Sequence, residues 1–475
     1  MGPGTWHIYN RKLSTLHQSS IGDSRVEAVC SCGMAKPYRR CFHMKRIVLI
    51  LAVLPYLAMA AWAQETLGVE EAVRLALANN ASLVQSSIAL DTAKRTLDVS
   101  WNGLLPSLSV GAGASRPNVP SPGSTGSGES YYGTASAGIS LSTAVMGSMQ
   151  VARSQYDSAG LAFQVSRRDV ELSVRKAYYS ILLTRESMLV IERSIETAQN
   201  NYNQAEVRRK AGLAPELDSL TALVALEKIK PTLASAQVTY ENQLADFRQL
   251  MGMAQDQALS FSDSLDTATA LISDTTAAPS EETVYSAKDK SPAVTMLAAA
   301  LALARTRKAA ADRAVYSPGL SLSMSYRPTW SNDTSKDSGS VSAVLSFSTD
   351  KLLPWSQERQ AAAVAADSVA TAESKLAEAR IGAGLSAKSL ARRIAQARGS
   401  LRALRLNVTL AERTYALTDE AYRFGTKDVL AVQNAQDNLQ SARMQVLSQM
   451  NTLISAVLDL EYALGVPFGT LGRQS

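Results

Sequence analysis

Cysteine and histidine carry most nucleophilic and metal chemistry in proteins, and in this chain they cluster at one end. Cys30, Cys32 and Cys41, with His7, His17 and His43, all fall within residues 1–43. Beyond that point the chain has neither type. Zinc sites built from Cys and His are excluded there, and so are Ser-His-Asp and Cys-His nucleophilic sites. Carboxylates remain, but they are spread along helix surfaces with no paired constellation of the sort carboxylate-only hydrolysis uses. There is no phosphate-binding loop. The reading is no enzyme, no catalytic residue, no cofactor and no metal.

The formal net charge of +6, from 48 Lys+Arg against 42 Asp+Glu, misleads. Residues 1–63 hold eight of the bases (Arg11, Lys12, Arg25, Lys36, Arg39, Arg40, Lys45, Arg46) and two of the acids (Asp23, Glu27). Subtraction leaves 40 of each sign, so the remainder is neutral. A neutral chain without a basic block argues against nucleic-acid binding, which rests on phosphate neutralisation.

Met44-Lys45-Arg46, followed by the apolar run Ile47–Ala61, reads as a secretory signal peptide over 44–63. Ala61-Trp62-Ala63 is its cleavage site, before Gln64. A transmembrane anchor is the other reading, but the run is short and Pro55 interrupts it. Residues 1–43 look like no targeting segment and read as a mis-called upstream extension. The exported part has no cysteine, so packing rather than disulfides must hold it.

Two segments carry long helical seams. Ile394, Ala397, Leu401, Leu404, Val408, Ala411, Tyr415, Thr418 and Tyr422 step by three and four; so do Met188, Ile191, Ile195, Ala198, Tyr202 and Ala205. This is coiled-coil patterning. Gly212 and Gly425 break the two seams, and Gly252 and Gly465 close the return helices. Each pair is offset by 213 residues, as are Tyr202/Tyr415 and Ile195/Val408. The chain is an internal duplication of one long α-hairpin. Pro231 should kink the first return helix. Gly382, Gly384 and Gly399 are weak points in the second outgoing helix.

Ahead of each α-hairpin the period drops to two. Leu108, Val110, Ala112 and Ala114 alternate with Ser and Gly, as do Ala135, Ala137, Ile139 and Leu141. In the second copy Leu320, Leu322, Met324 and Tyr326 alternate, and so do Val341, Ala343, Leu345 and Phe347. Segments of about 9–11 residues fit tilted membrane-crossing strands. Proline introduces both copies, Pro106 before Leu108 and Pro318 before Leu320. Pro117–Ser130 and Pro328–Gly339 read as loops. The first repeat is 64–252, with strands at about 107–116 and 133–142 and a helical hairpin at about 147–252. The second is 291–465, with strands at about 319–327 and 340–348 and a hairpin at about 356–465. Residues 253–290 read as an equatorial connector outside the main bundle, and 466–475 as a flexible tail.

This order of elements, repeated at a fixed offset, resembles the TolC-type outer-membrane efflux protein family, the outer membrane factors. The resemblance covers nearly all of 64–465. It is carried by the paired Leu-Pro-x-Leu and Ser-Pro-x-Leu strand entries, by the tips Arg209-Lys210-Ala211-Gly212-Leu213 and Tyr422-Arg423-Phe424-Gly425-Thr426, and by the closing Ala463-Leu464-Gly465. It implies a mainly α fold with a small β part, with four transmembrane strands per protomer. A homotrimer would then give a twelve-stranded barrel in outer-membrane lipid, continued by an α-barrel tunnel in the periplasm. The implied function is the passive exit duct of a tripartite efflux or type I secretion system. Its partners would be a periplasmic adaptor (membrane fusion) protein and an inner-membrane pump or ABC transporter.

Carried over residue by residue, the resemblance makes Tyr422, Lys427, Asp428 and Asp218 candidates for a periplasmic gate. Arg209, Gly212, Leu213, Arg423, Gly425 and Thr426 become candidates for adaptor docking. Asp428 follows Gly425 by three residues, fewer than the family pattern has, and Ala431 stands where a second acid is expected. Two other functions stay open on the residues alone. A structural or adhesive coiled-coil envelope protein would need the long helices but not the paired strands. A periplasmic helical binding protein would be extracted without detergent.

Overall fold

A computed structural model describes residues 66–116, 129–263, 282, 285, 287–331 and 334–471. The chain divides into Met1–Ala63 and Gln64–Ser475. The expected upstream extension, the signal peptide and most of the Pro117–Ser130 loop lie outside the described residues.

The described part of the larger unit opens with β1 (Thr66–Leu67), α1 (Val69–Asn79) and α2 (Ala81–Asp98). Asn80 joins the two helices by capping α2: its side-chain oxygen accepts from Ser82 N–H and Leu83 N–H. Strands β2 (Ser107–Ser115) and β3 (Ser130–Ser142) precede α3 (Thr143–Lys210) and α4 (Glu216–Met251). After β4 (Ser260–Phe261), the pattern repeats as α5 (Pro292–Val315), β5 (Gly319–Ser331), β6 (Thr334–Ser346), α6 (Gln357–Arg423) and α7 (Val429–Leu464). The 68-residue α3 is about 100 Å long at ~1.5 Å per residue.

Helix α3 starts at Thr143, four residues before Gly147. Helix α4 runs unbroken through Pro231, and α6 through Gly382, Gly384 and Gly399. Packing along the neighbouring helix holds these weak points helical, as tertiary contacts commonly override local propensity.

The four long strands form one antiparallel sheet in the order β2-β3-β5-β6. The loop expected over Pro328–Gly339 is corrected here: β5 and β6 continue to Ser331 and Thr334. The outer half of β6 alternates polar with polar, and Pro328 interrupts the outer half of β5, so hydrophobic period alone does not show them as strand. Pro328 fits because its missing N–H falls on the β3 side, where the ladder skips from Tyr132↔Thr329 to Ala135↔Tyr326. On the β6 side, the Pro328↔Asp337 pair is kept.

The main core gathers Tyr178, Ile181 and Leu182 of α3, Phe247 and Met251 of α4, Ile394 of α6, and Leu453, Ile454 and Leu460 of α7. Two further expectations are corrected at this core. The start of the 253–290 segment is docked rather than outside the bundle. Strand β4 pairs in parallel with β1, and the Phe261 ring meets Tyr178 edge-on at 5.4 Å. The tail is also held as far as Leu471. Val466, Phe468 and Leu471 pack on the core, while Gly469 N–H and Leu471 N–H each donate to the Glu461 carboxylate at 2.9 Å. Too few apolar residues follow Gly465 for pattern to reveal this; one buried carboxylate does the anchoring.

Candidate functional site

The turns joining α3 to α4 and α6 to α7 are the two tips. Gly212 has φ +70° and Gly425 has φ +76°, the left-handed conformation that glycine adopts freely. Leu213 N–H reaches Arg208 O at 2.8 Å and Gly212 N–H reaches Arg209 O at 3.0 Å. In the second tip Thr426 N–H reaches Ala421 O and Gly425 N–H reaches Tyr422 O, both at 2.9 Å. Both are Schellman closures. Thr426 adds a hydroxyl bond to Ala421 O.

Tyr422 is only 4% exposed. Its ring lies in a small cluster with Ala205 and Ala222 of the first hairpin and Val429 and Val432 of the second. The Arg208 guanidinium sits over this ring, 4.8 Å from its centroid, and donates to the Tyr422 carbonyl. Arg208 thus clasps one hairpin to the other through a cation–π contact and a hydrogen bond. Among the described residues the buried Tyr422 hydroxyl has no hydrogen-bond partner, and burial pushes its pKa up. An orphaned buried hydroxyl is costly, so this clasp is not a fully relaxed contact.

Arg209 does not cross between hairpins. It forms a fork onto Glu206 through Nε (2.9 Å) and Nη2 (2.7 Å), and Glu206 also accepts from the Ser219 hydroxyl at 2.8 Å. The Arg209 bond, then the Ser219 bond, hold the Glu206 carboxyl down to about 2. Arg423 pairs with Asp419 at 2.7 Å. Asp428 is the N-cap of α7, its Oδ1 accepting from Ala431 N–H at 2.9 Å. Asp218 is half-buried in the first turn of α4, and Lys427 is exposed. The predicted residues Tyr422, Arg209, Arg423 and Asp428 therefore share one end of the hairpins, but they form four separate contacts. Sequence reasoning missed Arg208 and Ser219, whose partners only the fold brings near, and also Glu206 and Asp419, whose i,i+3 and i,i+4 spacing to Arg209 and Arg423 was a signal that could have found them. A little deeper, Asn201 and Gln436 are buried and bonded to each other at 3.0 Å, and Gln436 also donates to Ser194 O.

The sheet is the second site. Its register puts Leu108, Val110, Ala135, Ala137, Ile139, Leu320, Leu322, Met324, Val341 and Leu345 on one face. The other face is Ser, Gly and Thr for most of its length, with hydroxyl pairs Ser109–Ser136 (2.6 Å), Ser323–Ser342 (2.7 Å) and Ser325–Ser340 (2.9 Å). The apolar face is bare: Val110 is 89% exposed and Leu108 is 78% exposed. Edges β2 and β6 have no partner strand among the described residues. Pro106 and Pro318 each end the preceding segment just before a strand. Beside Pro318, the buried Ser317 hydroxyl accepts from Thr143 N–H at 3.1 Å, tying the entry of β5 to the start of α3. Leu108 and Leu320 both point to the apolar face.

No helix is long and apolar enough to cross a membrane, and no cluster of metal-ligating side chains occurs among the described residues.

Comparison with known proteins agrees with this geometry. The profile of the family described as outer membrane efflux protein matches residues 72–253 and 283–466, one match per repeat. The outer membrane protein TolC of Escherichia coli K12 is 25% identical over 193 residues, covering 38% of this chain and 39% of TolC. The chain thus spans about two fifths of the length of the curated relatives it matches. Among solved structures, CusC superposes with a TM-score of 0.71 at 15% identity, over 84% of this chain and 92% of CusC. The open-state MtrE outer membrane channel of Neisseria gonorrhoeae gives 0.66 at 19% identity, over 84% and 89%. At these identities the superpositions establish the fold, helical hairpins with a small sheet, and the profile match over both repeats establishes that this chain belongs to the outer membrane efflux protein family.

Proposed function

We propose that this protein is a homotrimeric exit duct of the outer membrane, passive, and opened at the helix tips by a periplasmic adaptor and an inner-membrane pump or ABC transporter. Such a duct serves a tripartite efflux or type I secretion system. The observation that carries the reading is the sheet: one bare apolar face, one hydroxyl face and two open edges. In lipid an unpaired edge leaves backbone groups unsatisfied, at several kcal/mol each. Four strands cannot close on themselves, and three copies closing edge to edge supply a barrel of twelve. From Leu320 to Trp330 the apolar face of β5 spans ten steps, on the order of 33 Å along the strand at ~3.3 Å per residue. At a tilt of about 40° that gives a band roughly 25 Å tall, the height of a barrel's lipid belt. Tyr131 and Trp330 mark one rim and Phe347 and Trp355 the other, all exposed, as interfacial aromatics are.

The two repeats, 64–252 and 291–465, then supply equivalent hairpins to one tunnel, with 253–290 connecting them and 44–63 removed on export. The Arg208–Tyr422 clasp is the part of the tip an adaptor would have to loosen. Exposed Val207, Leu213 and Phe424, beside Arg209 and Arg423, offer it an apolar and basic surface. A structural coiled coil would use the long helices and have no use for the sheet.

The test is planar-bilayer conductance of the purified 64–475 chain together with its mass in detergent. Discrete steps from a trimer support the duct. A monomer, or a protein extracted without detergent that gives no steps, refutes it.

A further inference from the structure

At the described strand positions the charges of the sheet are sorted by sign between its faces. On the hydroxyl face, the ionisable residues among the described strand positions are Arg327 and Lys336. Both lie near the β5–β6 turn, away from the helices. Register puts Arg327 opposite Ser338, and Lys336 opposite Thr329, which in turn faces Tyr132. The Arg327 guanidinium stands over the Tyr132 ring at 4.1 Å from its centroid. That ring in turn overlies Gly113 so closely that a Cβ there would come within 2.6 Å of it. The cation is therefore seated on a built aromatic platform on the hydroxyl face rather than left to wander. Among the described residues at this end, Asp337 lies on the opposite face and accepts from the Tyr326 hydroxyl at 3.1 Å, and Glu129, just before β3, is paired with Arg116 at 3.5 Å; Asp333 lies outside the described residues.

From this sorting we infer that the outer mouth of the pore is a cationic ring, so that the duct favours anionic solutes and resists cations. The inference rests on the proposed barrel, which turns the hydroxyl face inward. Each protomer contributes Arg327 and Lys336 to the ring, and below it the wall is an uncharged tube of Ser, Gly and Thr with Val344. Such a wall cannot cancel the ring's potential. Fixed charges of one sign in a confined mouth concentrate counter-ions. Their reach is about 10 Å at 0.1 M salt and about 3 Å at 1 M, so the preference is expressed at low salt and fades at high salt.

The experiment is the reversal potential of single channels under a potassium chloride gradient, for the parent and for R327Q/K336Q. Trimer mass and step size confirm that the variant is assembled. At about 0.1 M salt the chloride-to-potassium permeability ratio of the variant should fall by about threefold or more, and the difference should shrink at 1 M. R327E/K336E should push the ratio further the same way. Parent steps with an unchanged ratio in both variants would overturn the cationic ring and leave the duct standing. A parent that is a monomer, or that is extracted without detergent and gives no steps, would overturn the duct, and the ring would fall with it.

Discussion

The same glycine closure ends all four long helices, but the surroundings of the two pairs differ. Gly252 and Gly465 at the base have φ +67° and +70°, close to the +70° and +76° of Gly212 and Gly425 at the tips. At the base a Cβ would lie 2.5 Å from Asn79 O on Gly252 and 2.6 Å from Lys290 O on Gly465. At the tips nothing stands near Gly212, and Gly425 has only the end of Arg208 at 3.6 Å. The base is also where Tyr178, Phe247, Phe261 and Met251 pack, while the tip cluster is Ala205, Ala222, Tyr422, Val429 and Val432. One motif therefore serves as a fixed joint at one end and as an open, thinly packed turn at the other. A duct opened at its tips needs this asymmetry, since mobile elements come from the less stable regions of a structure.

The sharpest way to break the comparison is to add a methyl group at each end. Gly252→Ala strains a left-handed residue and drives a Cβ into backbone, and should cost on the order of 3 kcal/mol. Gly212→Ala meets only the conformational strain, about 1 kcal/mol. Thermal unfolding in detergent reads both; equal losses would remove the distinction between joint and turn. Next in size is Arg208→Ala, which deletes the clasp over Tyr422 at about 1.4 kcal/mol. Amide exchange at Tyr422–Thr426 should then quicken about tenfold, with no change at Phe247–Gly252.

The smallest effect separates the ends by pH. Glu206, held at about 2, stabilises the tip above its ordinary value near 4.5 and loses that contribution as pH falls from 4.5 through 2. Glu461 runs the other way. It is fully buried at the base, and burial raises its pKa against the opposing bonds from Gly469 and Leu471. The folded state therefore holds the Glu461 proton more tightly than the unfolded chain does. Its contribution is greatest below 4.5 and declines as pH rises through the raised value. Glu206→Gln should remove only the acid-side loss, and Glu461→Gln only the decline above 4.5, both read in melting curves against pH. The Glu206 effect is muted by solvent, since the group is only half-buried.

These contrasts also show what a sequence makes legible. The glycine offset, the helical seams and the apolar strand halves follow from period and punctuation, and they reached the duplicated fold and its family. The outer half of β6 escaped because Lys336, Ser338 and Ser340 alternate with other polar residues, and that of β5 because Pro328 interrupts it. Asp428, a gate candidate by resemblance, also accepts from Ala431 N–H, a role that any Asp before a helix can take. Arg208 sits beside Arg209 and Lys210 with nothing in the sequence to set it apart. Its partner is 214 residues away, and only the crossing of the two hairpins joins them. The Glu461 anchor is likewise a product of the chain's return to the core.

The central claim is that the tips, and not the base, close the duct. Single-channel conductance of Arg208→Ala beside the parent tests it most directly. The claim predicts larger or longer openings from an intact trimer once the clasp on Tyr422 is gone. An intact Arg208→Ala trimer with steps identical to the parent's would contradict it.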